Sequence, residues 1–354
     1  MADSQRMPAE WEPHAATWIG WPHNATDWPG KFPVIPWVYG EITRALARSE
    51  IVRILVNSKS HQAQATRILK KVGVDLARID FLPFPTNRGW TRDFGPIFVR
   101  SDPGRKPGVL AIARFHFNAW AQYKDWKKDD KIPERAARRL KLPLIDGRIV
   151  LEGGSIDVNG RGTLLTTEEC LLDPKVQARN PGLSRYEIEN VFRDVLGVTN
   201  TLWLGNGIAG DDTHGHVDDL CRFVNPTTVV LCREDDPKDA NYKPLAENRE
   251  RLQGMHLEKG TAIEVIDLPM PAPLYFGGVR LPASYANFYI ANAAVLVPTF
   301  NDPKDRVALG IIAELFRDRP VVGIHAVDLV WGLGTIHCLT QQEPRIMASP
   351  PAVP

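Results

Sequence analysis

The pattern of apolar and polar positions repeats along the chain and predicts a unit of two short strands, an amphipathic helix and a further strand. Apolar runs bounded by turn residues predict the strands, and apolar positions at helical spacing predict the helices. The predicted strands are 51–56, 97–99, 108–117, 148–158, 162–166, 201–204, 216–224, 227–232, 262–268, 285–291, 294–299 and 321–325. The predicted helices are 37–47, 61–71, 133–140, 184–196, 242–256 and 304–317. This ββαβ unit recurs with a period of roughly 60 to 70 residues, so the repeats should stack or close into a ring.

The stretch from 7 to 36 departs from this pattern because it is dense in tryptophan and proline. Proline lacks a backbone N–H and excludes a regular helix there. Large aromatic side chains on irregular backbone predict a loop that covers the core or forms the rim of a pocket. Packing alone and contact with a substrate would each account for these aromatics.

The stretch from 331 to 344 carries Cys338 close to the C-terminal end of the chain. Gly332 and Gly334 allow a tight turn and a close approach to a ligand. Residues 335–340 then predict a short strand with alternating faces. Taken alone, Cys338 is either a small buried apolar residue, as most free cysteines are, or a nucleophile.

Composition narrows the functional classes. The chain has 354 residues, of which 44% are hydrophobic and 24% charged, with a net charge of +1. A near-zero charge offers no basic face for nucleic acid. No apolar run is long enough to span a bilayer, and the N-terminus lacks a secretion signal, so we expect a cytoplasmic protein. The four cysteines show no paired C-x-x-C spacing, which argues against a disulfide framework or a zinc ribbon.

Two acidic residues stand beside turn signals. Asp93 precedes a Gly-Pro pair that stops regular structure and presents the carboxylate at a turn, although an Asx-turn or an ion pair with Arg92 would also explain it. Glu152 ends an apolar strand and is followed by two glycines that leave open space beside its carboxylate. A charge at the end of a buried strand is costly unless it is paired.

A third cluster, from 210 to 220, concentrates imidazole and carboxylate groups. On a strand, His216 and Asp218 would point to the same face, and His214 would join them if the strand began early. Metal binding is one use of such a cluster, but the downstream histidines are few, and His256 lies on a predicted helix. We therefore predict that no metal is bound. Nucleophilic catalysis is the other use.

A thiol, an imidazole and carboxylates are the groups needed to attack a carbon flanked by cationic nitrogens, such as a guanidinium carbon. Carboxylates, for which Asp93, Glu152 and Asp218 are the candidates, would bind the flat cation, and the bound cation would stabilise the Cys338 thiolate. His216 would protonate the leaving nitrogen and then activate water, while Glu152 orients the imidazole. This scheme needs no metal and no organic cofactor.

Several motifs, read together, resemble the agmatine deiminases of the bacterial-type peptidylarginine deiminase family, within the guanidine-modifying superfamily. The motifs lie at 7–14, 17–22, 90–96, 117–120, 152–154, 165–172, 215–218, 284–292 and 336–342. The resemblance implies a five-bladed α/β propeller of ββαβ repeats with pseudo-fivefold symmetry. It also implies hydrolysis of agmatine to N-carbamoylputrescine and ammonia, with Cys338 as nucleophile, His216 as acid and base, Glu152 as its partner, and Asp93 and Asp218 as guanidinium ligands. The family often forms homodimers.

Three departures from the family pattern put the substrate's distal end in doubt more than the reaction. They are Thr213-His-Gly215, Gly332-Leu-Gly-Thr335 and the connection over 275–280. For the distal amine of agmatine we predict contacts with Trp90, Trp28 and Asp27.

Other readings remain open at this stage. Free arginine would need a cation for its carboxylate, which Arg88 or Arg280 could supply, and peptidylarginine is a third possible substrate. From other classes, a non-catalytic propeller that binds a partner and a zinc hydrolase both stay open. We predict one catalytic domain over 1–344, a disordered tail over 345–354, and simple buried packing for Cys170 and Cys221.

Overall fold

The structure is a computed structural model that describes residues 5–101 and 108–346. The strands of these residues form five sheets of three or four strands and one two-stranded hairpin. The strand order in the first sheet is Gln5–Arg6, Ile97–Ser101, Val109–His116 and Leu144–Val150. The order in the second is Asn200–Leu204, Thr163–Thr167 and Asp157–Val158, and in the third it is Cys221–Phe223, Thr228–Arg233 and Glu264–Pro269. The fourth consists of Tyr289–Ile290, Val295–Thr299 and Val321–His325. The fifth consists of Thr340–Pro344, His14–Gly20, Ile51–Leu55 and Ile79–Leu82.

The first four of these sheets confirm the predicted ββαβ unit. In each, an antiparallel pair is followed by a helix and then by a strand that pairs in parallel with the second one. The longer helices are Ile35–Leu46, Lys59–Lys71, Ile132–Leu140, Arg185–Val191, Tyr242–Gln253 and Lys304–Leu315. The shorter ones are Thr91–Phe94, Glu168–Leu172 and Ile336–Leu339.

The fifth sheet joins the two ends of the described chain. The C-terminal strand Thr340–Pro344 pairs antiparallel with His14–Gly20, which pairs in parallel with Ile51–Leu55. The prediction of an irregular loop throughout 7–36 was therefore wrong in part, because His14–Gly20 is a buried strand. Apolar Trp18 and Ile19, both fully buried, account for its place inside the sheet.

Local sequence explains several element boundaries. Ser184 and Glu187 form a reciprocal capping box at the start of the helix Arg185–Val191, and Ser58 caps Lys59–Lys71 through the backbone N–H of His61. The predicted strand 148–158 instead ends at Val150. A short helical turn, Gly153–Ser155, follows it, because paired glycines break the extended run.

A buried carboxylate, that of Glu10, ties several of these units together. It accepts hydrogen bonds from Arg92 (3.1 Å), Arg222 (3.1 Å), His337 (2.8 Å) and the backbone N–H of Ile290 (2.8 Å). The pKa of Glu10 lies well below its usual range because Arg222, His337 and Arg92 outweigh the effect of burial. The N-terminal segment is thus anchored to four distant parts of the chain.

Among the described residues, no helix combines the length and the apolar composition needed to cross a bilayer. The predicted tail over 345–354 falls largely outside the described residues, which end at Ile346. The single-domain assignment for 1–344 stays a prediction.

Replacing Glu10 with Gln should destabilise the fold strongly, because two buried guanidinium groups and an imidazole lose their shared counter-charge. We expect a loss of about 3–5 kcal/mol in the free energy of unfolding, measured by urea denaturation. The matched control is Glu12→Gln, which removes a half-buried pair with Arg6 (2.5 Å) and should cost less than about 1 kcal/mol. Equal losses in the two variants would contradict the anchoring role of Glu10.

Candidate active site

A cavity of about 420 Å³ opens where turns from several sheets meet. Its lining includes Asp27, Arg88, Trp90, Asp93, Trp120, Asp212, Leu333 and Cys338. Behind Asp93 and Cys338 lie the other predicted catalytic residues, His216, Glu152 and Asp218, each at most 1% exposed. The structure therefore brings together residues that are separated by up to most of the length of the chain.

Cys338 lies on a short helix, Ile336–Leu339, and the prediction of a strand over 335–340 was wrong. The reason is a tertiary contact: the side-chain carbonyl of Asn287 accepts from the backbone N–H groups of His337 (3.0 Å) and Cys338 (3.4 Å) at the start of that helix. The sulfur accepts from Asn287 Nδ2 (3.1 Å) and donates to Asp218 Oδ2 (3.7 Å). Its immediate surroundings are thus polar although it is buried.

His216 precedes a helical turn, Val217–Asp219, and the predicted strand over 216–224 begins only at Cys221. The turn still places His216 beside Asp218, with 4.0 Å between Nδ1 and Oδ1. Nδ1 also lies 3.8 Å from Asp93 Oδ1, and Nε2 lies 3.8 Å from Glu152 Oε2. Within the described part of the chain, neither ring nitrogen is close enough to another group for a hydrogen bond.

Glu152 is fully buried and is held by Arg179, a residue that sequence reasoning missed. Arg179 Nε donates to Glu152 Oε1 (3.1 Å), and Arg179 also binds the backbone carbonyl of Thr213. Burial would raise the pKa of Glu152, but Arg179 and His216 lower it to about 2. Glu152 is therefore a fixed negative charge beside the imidazole, and its Oε2 has no partner in the described residues.

Asp93 sits on the short helix Thr91–Phe94 with both oxygens engaged. Oδ2 accepts from Trp120 Nε1 (2.9 Å), and Oδ1 accepts from the backbone N–H of Gly154 (3.1 Å). Burial raises the pKa of Asp93 to about 7, and the nearby charges of Asp218 and Glu152 add to the rise. A cation bound beside Asp93 would favour its ionised form.

Asp218 is held from behind by His337, a second residue that sequence reasoning did not assign. His337 Nδ1 lies 2.7 Å from Asp218 Oδ2, and Nε2 lies 2.8 Å from Glu10 Oε2. Burial would raise the pKa of Asp218, yet His337 and His216 lower it. One oxygen of Asp218 is thus fixed by the protein, and the other, Oδ1, has no partner in the described chain.

These charges set the resting protonation of the site. Burial raises the pKa of Cys338 well above its usual value, and Asp218, Asp219 and Asp93 raise it further. Burial would lower the pKa of His216, but Asp93, with further contributions from Cys170 and Glu152, raises it well above its ordinary range. Both shifts favour a neutral thiol beside an imidazolium ion.

Among the residues that the structure describes, two groups of three buried side chains place one ligand atom each within 4.8 Å of one another: Glu152, Cys170 and His216, and Asp218, Asp219 and Cys338. Cys170 packs in the core, as predicted, and also lies against Glu152 and His216. The guanidinium of Arg179 already compensates Glu152 in the first group. Such spacing suits a flat organic cation as well as a metal ion.

The residues predicted for the substrate's distal end lie at different depths. Trp90 and Asp27 line the cavity, whereas Trp28 is fully buried behind Trp90, with 5.2 Å between ring centroids. Asp27 forms an ion pair with Arg88, which also donates to Asp125 (3.1 Å).

Asp212 also lines the cavity, and sequence reasoning did not assign it there. It accepts from Tyr123 Oη (2.6 Å) and Gln122 (3.1 Å), and burial raises its pKa. A cationic group at this end of the cavity would therefore meet acidic side chains.

Comparison with known proteins gives one consistent family. Residues 6–344 match the Porphyromonas-type peptidyl-arginine deiminase family. Agmatine deiminase of Pseudomonas aeruginosa (strain LESB58) is 36% identical, covering 97% of this chain and 96% of that protein. The structure of agmatine deiminase of Enterococcus faecalis superposes with a TM-score of 0.87 at 33% identity, covering 97% of this chain and 96% of the other. The structure of a cysteine-to-serine variant of C. jejuni agmatine deiminase with substrate bound superposes with a TM-score of 0.86 at 29% identity, covering 97% of both chains.

Adding one methyl group at Gly154 should close the site without disturbing the rest of the fold. A Cβ there would lie 2.6 Å from His216 Nδ1, 2.8 Å from Asp93 Oδ1 and 3.1 Å from Asp218 Oδ2, in the space between them. We expect Gly154→Ala to lower kcat/KM for a guanidino substrate by about a hundredfold or more, since misplacement by about 1 Å has that effect.

The matched control is Gly310→Ala, where a Cβ would meet nothing within 4 Å. It should keep wild-type kinetics. Full activity in a folded Gly154→Ala variant, checked by circular dichroism and thermal melting, would exclude the space between these three side chains as the reaction site.

Proposed function

Because the chain belongs to the Porphyromonas-type peptidyl-arginine deiminase family, we propose that it hydrolyses the guanidinium group of agmatine to N-carbamoylputrescine and ammonia. One observation carries the proposal: a thiol, an unpartnered imidazole and three carboxylates converge at the inner end of one cavity. These are Cys338, His216, Asp93, Glu152 and Asp218.

For the fold, we propose that the five sheets are the blades of an α/β propeller. Two findings support it: the ββαβ unit recurs in four successive sheets, and the fifth combines strands from both ends of the chain. Pairing of Thr340–Pro344 with His14–Gly20 would close such a ring, as the first and last repeats otherwise keep an open edge. Cys338 comes just before this closing strand.

In the proposed complex, Asp93 and Asp218 accept hydrogen bonds from the guanidinium nitrogens. Asp218 Oδ1 is buried and unpartnered among the described residues, and it faces the same space as His216 Nδ1. A buried carboxylate oxygen without a hydrogen bond is costly, so a cation that donates to it gains binding free energy. The bound charge also offsets the three acids that hold Cys338 in its thiol form.

The chemistry then follows from the resting protonation states. Cys338 loses its proton to solvent as the cation binds, and the thiolate attacks the central guanidinium carbon. The imidazolium of His216 protonates the departing nitrogen, the C–N bond breaks, and ammonia leaves a thiouronium bound to the sulfur. His216, now neutral and held beside Glu152, removes a proton from water, which attacks the same carbon. Cleavage of the C–S bond releases the ureido product and regenerates Cys338.

The charge of the cavity favours agmatine over free arginine. A free arginine would need an unpaired cation to bind its carboxylate, but Arg88 is already paired with Asp27 and Asp125. Arg280 is likewise paired, with 3.0 Å to Asp239. The distal ammonium of agmatine would instead meet the acidic residues of the rim and the face of Trp90.

Two other classes are distinguished by direct tests. A non-catalytic binding module would release no ammonia from any guanidino compound. A zinc hydrolase would contain stoichiometric zinc and would lose activity with a chelator. The guanidinium of Arg179 already compensates Glu152, which leaves less negative charge beside His216 for a metal ion.

Ammonia release is the direct assay of the proposed reaction. Wild-type protein should release ammonia from agmatine with a kcat/KM at least about tenfold above that for free arginine or a peptidylarginine. Cys338→Ala should lose about a thousandfold or more of this activity because the nucleophile is gone. Cys221→Ala, which removes a buried thiol on the strand Cys221–Phe223, should stay active. An active Cys338→Ala variant would contradict the covalent mechanism.

Alkylation tests whether a cation activates the thiol. The cationic reagent 2-chloroacetamidine and the neutral 2-chloroacetamide differ in one group, and the site is acidic. For each reagent, the rate of modification of Cys338 at pH 7 is divided by the rate with free cysteine. We expect this ratio to be at least about tenfold larger for the cationic reagent, because the acidic side chains form charge-assisted hydrogen bonds with it. Asp218→Asn should remove most of this preference. Equal relative rates for the two reagents would contradict activation by a bound cation.

A further inference from the structure

Asn287 is a buried amide that contacts the nucleophile, and neither the sequence analysis nor the mechanism assigns it a role. It is 1% exposed and lies just before the strand Tyr289–Ile290, in a unit different from the other catalytic groups. Nδ2 lies 3.1 Å from Cys338 Sγ and 2.9 Å from Asp219 Oδ1. The amide therefore has direct access to the reacting atom.

The orientation of this amide is fixed by its other partners. Oδ1 accepts from the backbone N–H groups of His337 and Cys338 and from Thr335 Oγ1 (2.7 Å). A flipped amide would turn its NH₂ group toward two backbone donors and its oxygen toward the Asp219 carboxyl, which forfeits these bonds. The N–H group must therefore point at the sulfur.

The sulfur benefits from such a donor because three acidic side chains, Asp218, Asp219 and Asp93, act on it. In the resting protein the thiol hydrogen can be given to Asp218 Oδ2, at 3.7 Å. When the thiol ionises, that contact turns into repulsion between two anions, while the N–H group of Asn287 still donates to the sulfur. Hydrogen bonds to a charged acceptor are stronger than those to a neutral one, so this donor acts more on the thiolate than on the thiol.

We propose that Asn287 is a catalytic residue that stabilises the Cys338 thiolate through Nδ2–H while its carbonyl fixes the short helix that carries the nucleophile. This inference rests on the proposed function only in naming the reaction that the thiolate performs. The carbonyl and amino groups of one side chain thus position and activate the same sulfur.

Two substitutions separate the two halves of the amide. Asn287→Asp keeps an oxygen for the helix N–H groups but loses the donor, whereas Asn287→Ala loses both without adding charge. In iodoacetamide alkylation without substrate, we expect the midpoint pH of Cys338 modification to rise by about 1 unit or more in both variants. With agmatine, kcat should fall about tenfold or more, and KM should change less than kcat. Asn206→Asp, at an exposed amide, is the matched control and should match wild type.

A measurement on the native chain covers the case in which a variant fails to fold. In protein labelled with ¹⁵N-asparagine, one side-chain amide proton should shift as Cys338 titrates, and the shift should be absent in Cys338→Ala. A wild-type midpoint in a folded Asn287 variant, or no amide that follows the titration, would overturn the inference. Failure of agmatine turnover in wild-type protein would overturn the proposed substrate instead, because the alkylation and NMR measurements need no substrate.

Discussion

The Glu10 carboxylate, with the cations gathered around it, is the interaction on which the rest of the structure depends. A buried acid is costly unless it is paired and hydrogen-bonded, and here Arg92, Arg222, His337 and a backbone N–H group satisfy its two oxygens. Each of these donors comes from a different part of the chain. Their common acceptor therefore fixes how those parts meet, while the apolar core supplies the driving force for burial.

The same arrangement explains where the reactive groups point. Two donors to Glu10 directly precede a site residue in sequence: Arg92 precedes Asp93, and His337 precedes Cys338. In each short helix one side chain turns toward Glu10, and the next turns toward the cavity. The buried atoms that remain unpartnered in the described residues include both nitrogens of His216 and one oxygen of Asp218. Buried polar groups left without hydrogen bonds beside a cavity are expected where a ligand completes the bonding.

Much of the architecture was predictable because it is local. The spacing of apolar residues alone predicts the strand Val321–His325 and most of the helix Lys304–Leu315. The strand prediction failed at 335–340, where a distant amide holds a short helix. It also failed at the start of 216–224 and beyond Val150, where turns that contain glycine interrupt the alternation. Convergence of the thiol, imidazole and acids was expected from chemistry and from the family resemblance. The residues that hold these groups in place were not predicted, since nothing local in the sequence marks Arg179 or Glu10 as a partner of a residue far along the chain.

The departures from the family pattern fall outside the network around Glu10. Leu333, which stands between two glycines, lines the cavity with a left-handed backbone. His214, also left-handed, turns away from the cavity and lies 3.0 Å from Asp173 Oδ2, so the rim beside Asp212 depends on a contact outside the reaction centre. Change at Leu333 or His214 alters the rim that meets the substrate's distal end, while Asn287 and the buried acids set the geometry around the sulfur. Selection among guanidino substrates can therefore vary within one reaction mechanism, because the two tasks depend on different side chains.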